Sequence, residues 1–267
     1  MTAASEGTTP RSYVVTGAGS GIGAATAALL RSRGHRVIGI DLRGSDIDAD
    51  LSTGEGRRSV AHAVRGAVGD TVDAVIAVAG VALPTSLTVR VNYFGAIATL
   101  EELLPLLRNS PAPRAVVVAS FSALQQNDAE LVDLLRAGDE DAAVARADEL
   151  VSENQGDLIY PSTKRAIAEW VRERAVTPEW AASGIPLNAV GPGIILTPMT
   201  EPLLATAEGR DALMQVVPMP LAGPARPEAI AEVLAWLSDA PNAHITGQVV
   251  FIDGGADAVI RGPRVFD

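Results

Sequence analysis

Val14–Asp41 reads VVTGAGSGIGAATAALLRSRGHRVIGID, with glycines at 17, 19, 21 and 23 between a short apolar run and a segment of helical spacing. A second apolar run follows and ends in Asp41, 18 residues after Gly23. Glycine allows a tight turn and lets backbone N–H groups come close to a ligand. Outside this setting the glycines would read as an ordinary turn. Between a strand and a helix, with an acid closing the next strand, they read as a dinucleotide-binding unit. The pyrophosphate would lie against the positive end of the helix and Asp41 would accept from the ribose hydroxyls. That acid repels a 2′-phosphate and favours NAD over NADP, whereas Arg43, two residues on, pulls the other way.

Outward from this unit the same alternation continues. Strand-length apolar runs recur at 12–16, 36–40, 46–51 (weaker), 73–78, 114–119, 186–190 and 248–252. Helical spacing fills stretches between them, among them 24–33, 89–107 and 227–237. Continuous apolar strands alternating with helices predict an α/β fold, a doubly wound Rossmann arrangement with seven parallel strands and helices on both faces. With no internal repeat and no low-complexity linker, residues 1–267 read as a single domain. The Pro-rich segment 198–224 reads as a mobile substrate lid.

Composition narrows the function. The chain has no cysteine, which excludes disulfides, thiolate-bound metals and thiol nucleophiles. His35, His62 and His244 fall in no motif, so no metal site is expected and zinc-dependent alcohol oxidation is unsupported. A net charge of −11 disfavours nucleic acid and anionic membrane as partners. No apolar leader precedes residue 12 and no apolar run reaches membrane length, so a cytoplasmic location is expected. Residues 124–155 carry nine acidic side chains against Arg136 and Arg146, which reads as a solvated, inserted helical pair or an acidic recruitment surface.

YPSTK, residues 160–164, holds the only lysine of a chain that otherwise uses twenty arginines. Four residues apart on a helix, Tyr160 and Lys164 share a face. A neighbouring ammonium is expected to lower the phenol's pKa toward useful acid–base work, and its compact head bonds a ribose where a guanidinium fork would not.

TGAGSGIG, VNYFG, VVVASFSA, YPSTK and GPGIILTPM, in this order, resemble the motif set of the short-chain dehydrogenase/reductase family over about residues 13–255. GHRVIGIDLR, ADLSTGEGR, the insert before Tyr160 and TGQVVFIDGGADAVIR resemble its hydroxysteroid dehydrogenase/carbonyl reductase branch. The resemblance implies Tyr160 as catalytic acid/base, Lys164 as its partner and ribose ligand, and Ser120 as hydrogen-bond donor to the substrate oxygen, with Ser122 as rival. Asn92 would hold the water of a proton relay. Gly17, Ser20, Gly21, Ile22 and Gly23 would take the pyrophosphate, Asp41 the ribose, Asp50 and Leu51 the adenine, and Ala79 and Gly80 would approach the cofactor by backbone. Ile195 and Thr197 would anchor the nicotinamide.

Two departures accompany the resemblance. The family's Asn-Asn-Ala-Gly is AVAG at 77–80, and Ser120 and Tyr160 lie 40 residues apart, farther than in most members. The extra acidic stretch is expected to cover the family's usual helical dimer interface and to shift association, as homodimer or homotetramer, to the C-terminal strand and tail. The activity implied is NAD(H)-dependent interconversion of a secondary alcohol and a ketone, on an apolar alicyclic or steroid substrate suggested by the Leu- and Met-rich lid. A non-catalytic NAD(H) sensor and an NAD-retaining epimerase or dehydratase are the alternatives.

Overall fold

A computed structural model describes residues 10–264; residues 1–9 and 265–267 lie outside the described residues. The strands are β1 (Ser12–Thr16), β2 (Arg36–Asp41), β3 (Ile47–Asp48), β4 (Ala74–Ala77), β5 (Arg114–Val118), β6 (Leu187–Pro192) and β7 (Val249–Ile252). They form one parallel sheet in the order β3-β2-β1-β4-β5-β6-β7. The helices are α1 (Gly21–Ser32), α2 (Gly54–Val68), α3 (Ser86–Thr88), α4 (Ala96–Leu107), α5 (Ala129–Ala137), α6 (Glu140–Ser152), α7 (Ile159–Arg174), α8 (Glu201–Leu204), α9 (Ala207–Val216), α10 (Pro227–Leu237) and α11 (Ala256–Arg261). Among the described residues no helix is long and apolar enough to cross a membrane.

Alternation along each strand builds two cores. Val14, Val75, Val117 and Ala189 face α2, α4 and α7, while Tyr13, Val15, Ile76, Val116 and Val190 face α1 and α10. Each such fully buried aliphatic side chain contributes about 1.5–3 kcal/mol. The edge strand is shorter than its apolar run predicts: only Ile47 and Asp48 pair with β2. Asp46 instead turns its carboxylate to the Gly39 N–H at 2.7 Å and to Arg31, and alternating acids suit an edge better than a ladder.

The helical pattern at 89–107 also resolves differently. Val89–Gly95 is a π-helical turn, and regular α-helix begins only at Ala96. The acidic stretch folds into α5 and α6, each started by an aspartate cap: Asp128 accepts from Leu131 N–H at 2.7 Å and Asp139 from Ala142 N–H at 3.0 Å. Gly138, at φ +75°, makes the reversal between them. Leu131, Leu135, Ala147 and Leu150 join the core beside α4 and α7. Glu140 accepts two hydrogen bonds from the Arg57 guanidinium (2.9 and 2.7 Å) and one from Arg90 (3.0 Å), pinning α6 to α2 and the π-turn.

Candidate active site

The strand order reverses between β1 and β4, and parallel sheets of this kind bind ligands outside the carboxyl ends of their strands at that point. A cavity of about 570 Å³ opens there. Its wall includes every residue expected at a cofactor or catalytic position except Asn92, which lies behind it.

The glycine turn forms one side. Gly17 and Gly21 have φ of +68° and +51°, which L side chains rarely adopt. At Gly23 a Cβ would fall 2.0 Å from the Gly17 carbonyl oxygen, so turn and helix fit only without a side chain. Ser20 at the N-cap of α1 makes no side-chain cap bond, and no acid occupies the first turn. The first N–H groups of α1 are therefore left facing the cavity as an anion site. Asp41 closes the turn from β2, its Oδ2 accepting from Gly19 N–H at 2.8 Å and its Oδ1 from Leu42 N–H at 2.7 Å. Each oxygen keeps a lone pair for a ribose hydroxyl. Asp50 is exposed and holds Ser52, Leu51 is buried beside it, and Arg43 stays exposed outside the cavity lining. Glycine cradle, open helix terminus and carboxylate together fit a nicotinamide dinucleotide.

The AVAG departure has a structural answer that the sequence did not signal. Thr16, buried at the end of β1, accepts from both Val78 and Ala79 N–H at 3.0 Å, which fixes the β4 loop without asparagine side chains. Asn92, in the π-turn, holds the same loop further on. Its Oδ1 accepts from Val81 N–H at 2.8 Å, and its Nδ2 donates to Val81 carbonyl at 2.9 Å and to Thr163 Oγ1 at 3.4 Å. The side chain is thus engaged in positioning Ala79, Gly80 and Val81.

On the floor, Ser120 lies two residues beyond β5, capping the short 3-10 turn at 121–124, and Tyr160 and Lys164 lie in the first turns of α7. Ser120 Oγ accepts from Ser122 N–H at 3.1 Å, so Ser122 orients Ser120 by its backbone and does not line the cavity. Lys164 is buried, and its Nζ donates to Val118 carbonyl at 2.9 Å. Loss of hydration depresses its pKa to about 8. The expected lowering of the Tyr160 pKa does not appear in this state: burial raises it, and the Ser120 hydroxyl pulls it back in part. The Lys164 Nζ lies 5.6 Å from the Tyr160 ring centroid, over the ring.

Thr197 packs over the glycine turn, its Cγ2 3.2 Å from where a Gly21 Cβ would stand. Thr200, absent from the expected set, donates its hydroxyl to Ile195 carbonyl and accepts from Thr197 N–H at 3.1 Å. Ile195 forms a bridge with Ala225, so the two ends of segment 198–224 are held side by side. Between them α8 and α9 bury no residue, while Met219 anchors the segment, packed with Phe121 and Ile194. None of the three histidines lines the cavity.

A reversed strand order, a glycine cradle and a Ser, Tyr and Lys floor define a dinucleotide-binding oxidoreductase. Residues 142–257 match the family model described as Enoyl-(Acyl carrier protein) reductase. The chain is 35% identical over 255 residues to the 3-alpha-hydroxysteroid dehydrogenase/carbonyl reductase of Comamonas testosteroni, covering 93% of this chain and 97% of that protein. It therefore belongs to the short-chain dehydrogenase/reductase family, whose members use nicotinamide cofactors. It is also similar to the cis-4-hydroxycyclohexanecarboxylate dehydrogenase of Sinomonas cyclohexanicum, at 32% identity over 265 residues and 93% and 97% coverage. Among solved structures, the 3-alpha-hydroxysteroid dehydrogenase from Pseudomonas sp. B-0831 complexed with NADH matches with a TM-score of 0.86 at 38% identity, over 94% of this chain and 99% of that one.

Proposed function

We propose that the protein is an NAD(H)-dependent reductase and dehydrogenase that interconverts a ketone and a secondary alcohol on an apolar alicyclic or steroid skeleton. The observation that carries this reading is the convergence of Ser120, Tyr160 and Lys164 on one cavity floor beneath the glycine cradle. When bound, the nicotinamide supplies or accepts the hydride. The phenol of Tyr160, whose pKa burial raises, donates its proton to the carbonyl oxygen in reduction and takes one back in oxidation. Ser120 donates a second hydrogen bond to the same oxygen, where negative charge develops. Lys164 holds the nicotinamide ribose and places positive charge beneath the phenol ring.

Asn92 serves the relay through its main-chain carbonyl, since its side chain is already engaged. The first N–H groups of α1 with Gly17, Ser20, Gly21, Ile22 and Gly23 hold the pyrophosphate, Asp41 the adenosine ribose, Asp50 and Leu51 the adenine, and Ile195 and Thr197 the nicotinamide. NAD over NADP is supported by Asp41 facing the cavity while Arg43 lies outside its lining. Segment 198–224, pinned at its ends and at Met219 while α8 and α9 bury no residue, acts as the lid. Because α5 and α6 occupy the flank of α4 and α7, self-association uses another surface, at the C-terminal strand.

The test is NADH absorbance against a panel of ketones with the purified protein. Consumption of NADH with a cyclic or steroid ketone supports the reading. Bound NADH that no ketone oxidises would turn the assignment to a cofactor-binding regulator.

A further inference from the structure

Lys164 has properties beyond what holding a ribose asks of it. It is the only side-chain amine in the chain, because the other twenty basic residues are arginines, which keep their protons. It is also a buried cation without a counter-ion. Only 4% of its surface is exposed, its protein acceptor is the neutral Val118 carbonyl, and no carboxylate among the described residues pairs with it. Buried charges are ordinarily paired. The titratable groups that share its cavity are Tyr160, Asp41 and Asp50. Of these, Asp41 is held by the glycine turn and Asp50 by Ser52. The nitrogen is nevertheless open to the cavity. One N–H goes to Val118, and at Gly80 the wall carries no side chain, where a Cβ would stand 3.7 Å from Nζ. Val81, Leu87, Val91 and Met199 make part of the same wall apolar. The phenol ring of Tyr160 lies 5.6 Å away, centroid to Nζ.

We propose that Lys164 is also a covalent capture site for small apolar aldehydes: without a bound dinucleotide it condenses with them to a Schiff base, and a bound dinucleotide shields it. A lysine desolvated in an apolar pocket is an activated nucleophile. Burial depresses the Lys164 pKa to about 8, so at pH 7.5 about a quarter of the amine is neutral, against about one part in a thousand for an ordinary lysine. The amine lone pair attacks the carbonyl carbon, a C–N bond forms, and the C=O π pair moves to oxygen. That oxygen takes a proton from the Tyr160 phenol, which recovers one from the nitrogen. A second proton passes by the same route from nitrogen to the new hydroxyl, water leaves and the C=N bond closes. No electrons are transferred, and hydrolysis reverses the step. Aldehydes are the class selected, because a second carbon on the carbonyl of a ketone crowds and deactivates it. Only the shielding rests on the cofactor reading above, in which Lys164 holds the nicotinamide ribose.

The experiment treats the full chain at pH 7.5 with benzaldehyde and sodium cyanoborohydride, which reduces the Schiff base to a stable benzylamine, with and without saturating NADH. Mass spectrometry of the peptides locates the benzyl group. The label is mapped in the wild-type protein, so the result does not depend on a Lys164 variant folding. Benzylation of residue 164 is expected at least about tenfold faster than that of free N-acetyl-lysine under the same conditions, the direction set by its larger neutral fraction. NADH is expected to slow it by about tenfold or more, while leaving the α-amino group of the chain, the internal reference, unchanged. Label confined to the α-amino group overturns the inference, as does label at residue 164 that forms no faster than on N-acetyl-lysine. Label at residue 164 that NADH leaves unchanged, although a fluorescence titration shows NADH bound, overturns the shielding. A titration that shows no NADH binding overturns the cofactor reading instead, and rapid benzylation of residue 164 would still establish the capture.

Discussion

Lys164 reaches from α7 to the end of β5, where its Nζ donates to the Val118 carbonyl at 2.9 Å. That bond fixes the helix bearing Tyr160 against the strand that leads into Ser120, so one lysine sets the spacing of the cavity floor. An arginine fork is too broad for a single buried carbonyl beneath a phenol ring.

Its burial has a measurable consequence. Lysine ordinarily titrates near 10.5, and in the folded protein Lys164 is depressed to about 8. Between those values the unfolded chain binds more protons than the folded one, so this residue makes stability rise with pH across the window, by at most about 1.4 kcal/mol per unit. Below 8 both states are protonated and the contribution to the slope vanishes. Tyr160, raised by burial, acts in the opposite sense above its ordinary value. Urea unfolding from pH 7 to 9.5 should show wild-type stability climbing relative to Lys164→Met above pH 8; parallel profiles would contradict the assignment.

Asp41 is tied to the glycine turn through Gly19, at the end of the cavity proposed for the adenosine. Asp41→Ala removes the charge that repels a 2′-phosphate and leaves Arg43 as the nearest cation in sequence. The ratio of kcat/KM for NADPH to that for NADH is expected to rise at least tenfold. A ratio that stays at the wild-type value would separate cofactor choice from this acid.

Two glycines should respond in opposite directions. Gly23→Ala places a methyl 2.0 Å from the Gly17 carbonyl oxygen and should abolish NADH binding in a fluorescence titration. Gly66, inside α2, has nothing within 4 Å of an added Cβ. Gly66→Ala should stabilise the protein by about 0.5–1 kcal/mol, seen as a higher Tm, with activity retained.

The strands, the doubly wound arrangement and the glycine turn were legible because they rest on local patterns: continuous apolar runs, helical spacing and residues with no substitute. Asp41 and the pair Tyr160–Lys164 were legible for the same reason, since spacing alone puts them at a strand end or on one helical face. Thr16 was not, because a threonine ending a strand looks the same whether or not it receives two N–H groups from a loop 62 residues away. Nor was the π-turn at 89–95, where a shift in hydrogen-bond register leaves the apolar spacing almost untouched. The direction of the Tyr160 pKa was missed because spacing shows the nearby ammonium but not the burial that outweighs it.

Glu140 tests how far the acidic insert supports the site. It receives Arg57, a guanidinium almost fully buried, as well as Arg90 of the π-turn. Glu140→Ala leaves the Arg57 charge unpaired and should cost about 2 kcal/mol, below the 3–5 of a fully buried pair because Glu140 is partly solvated. Urea unfolding measures it. Rescue in Glu140→Asp, with the charge kept, distinguishes pairing from simple packing.

The central claim is that Tyr160 handles the proton while the rest of the cavity holds NADH. Tyr160→Phe with paired measurements tests it most directly: NADH affinity by fluorescence titration and ketone reduction by NADH absorbance. The account predicts a Kd within about twofold of wild type and a kcat lower by about 10² or more, the usual contribution of a positioned acid. A variant that binds NADH equally well and still reduces the ketone within tenfold of the wild-type rate contradicts it.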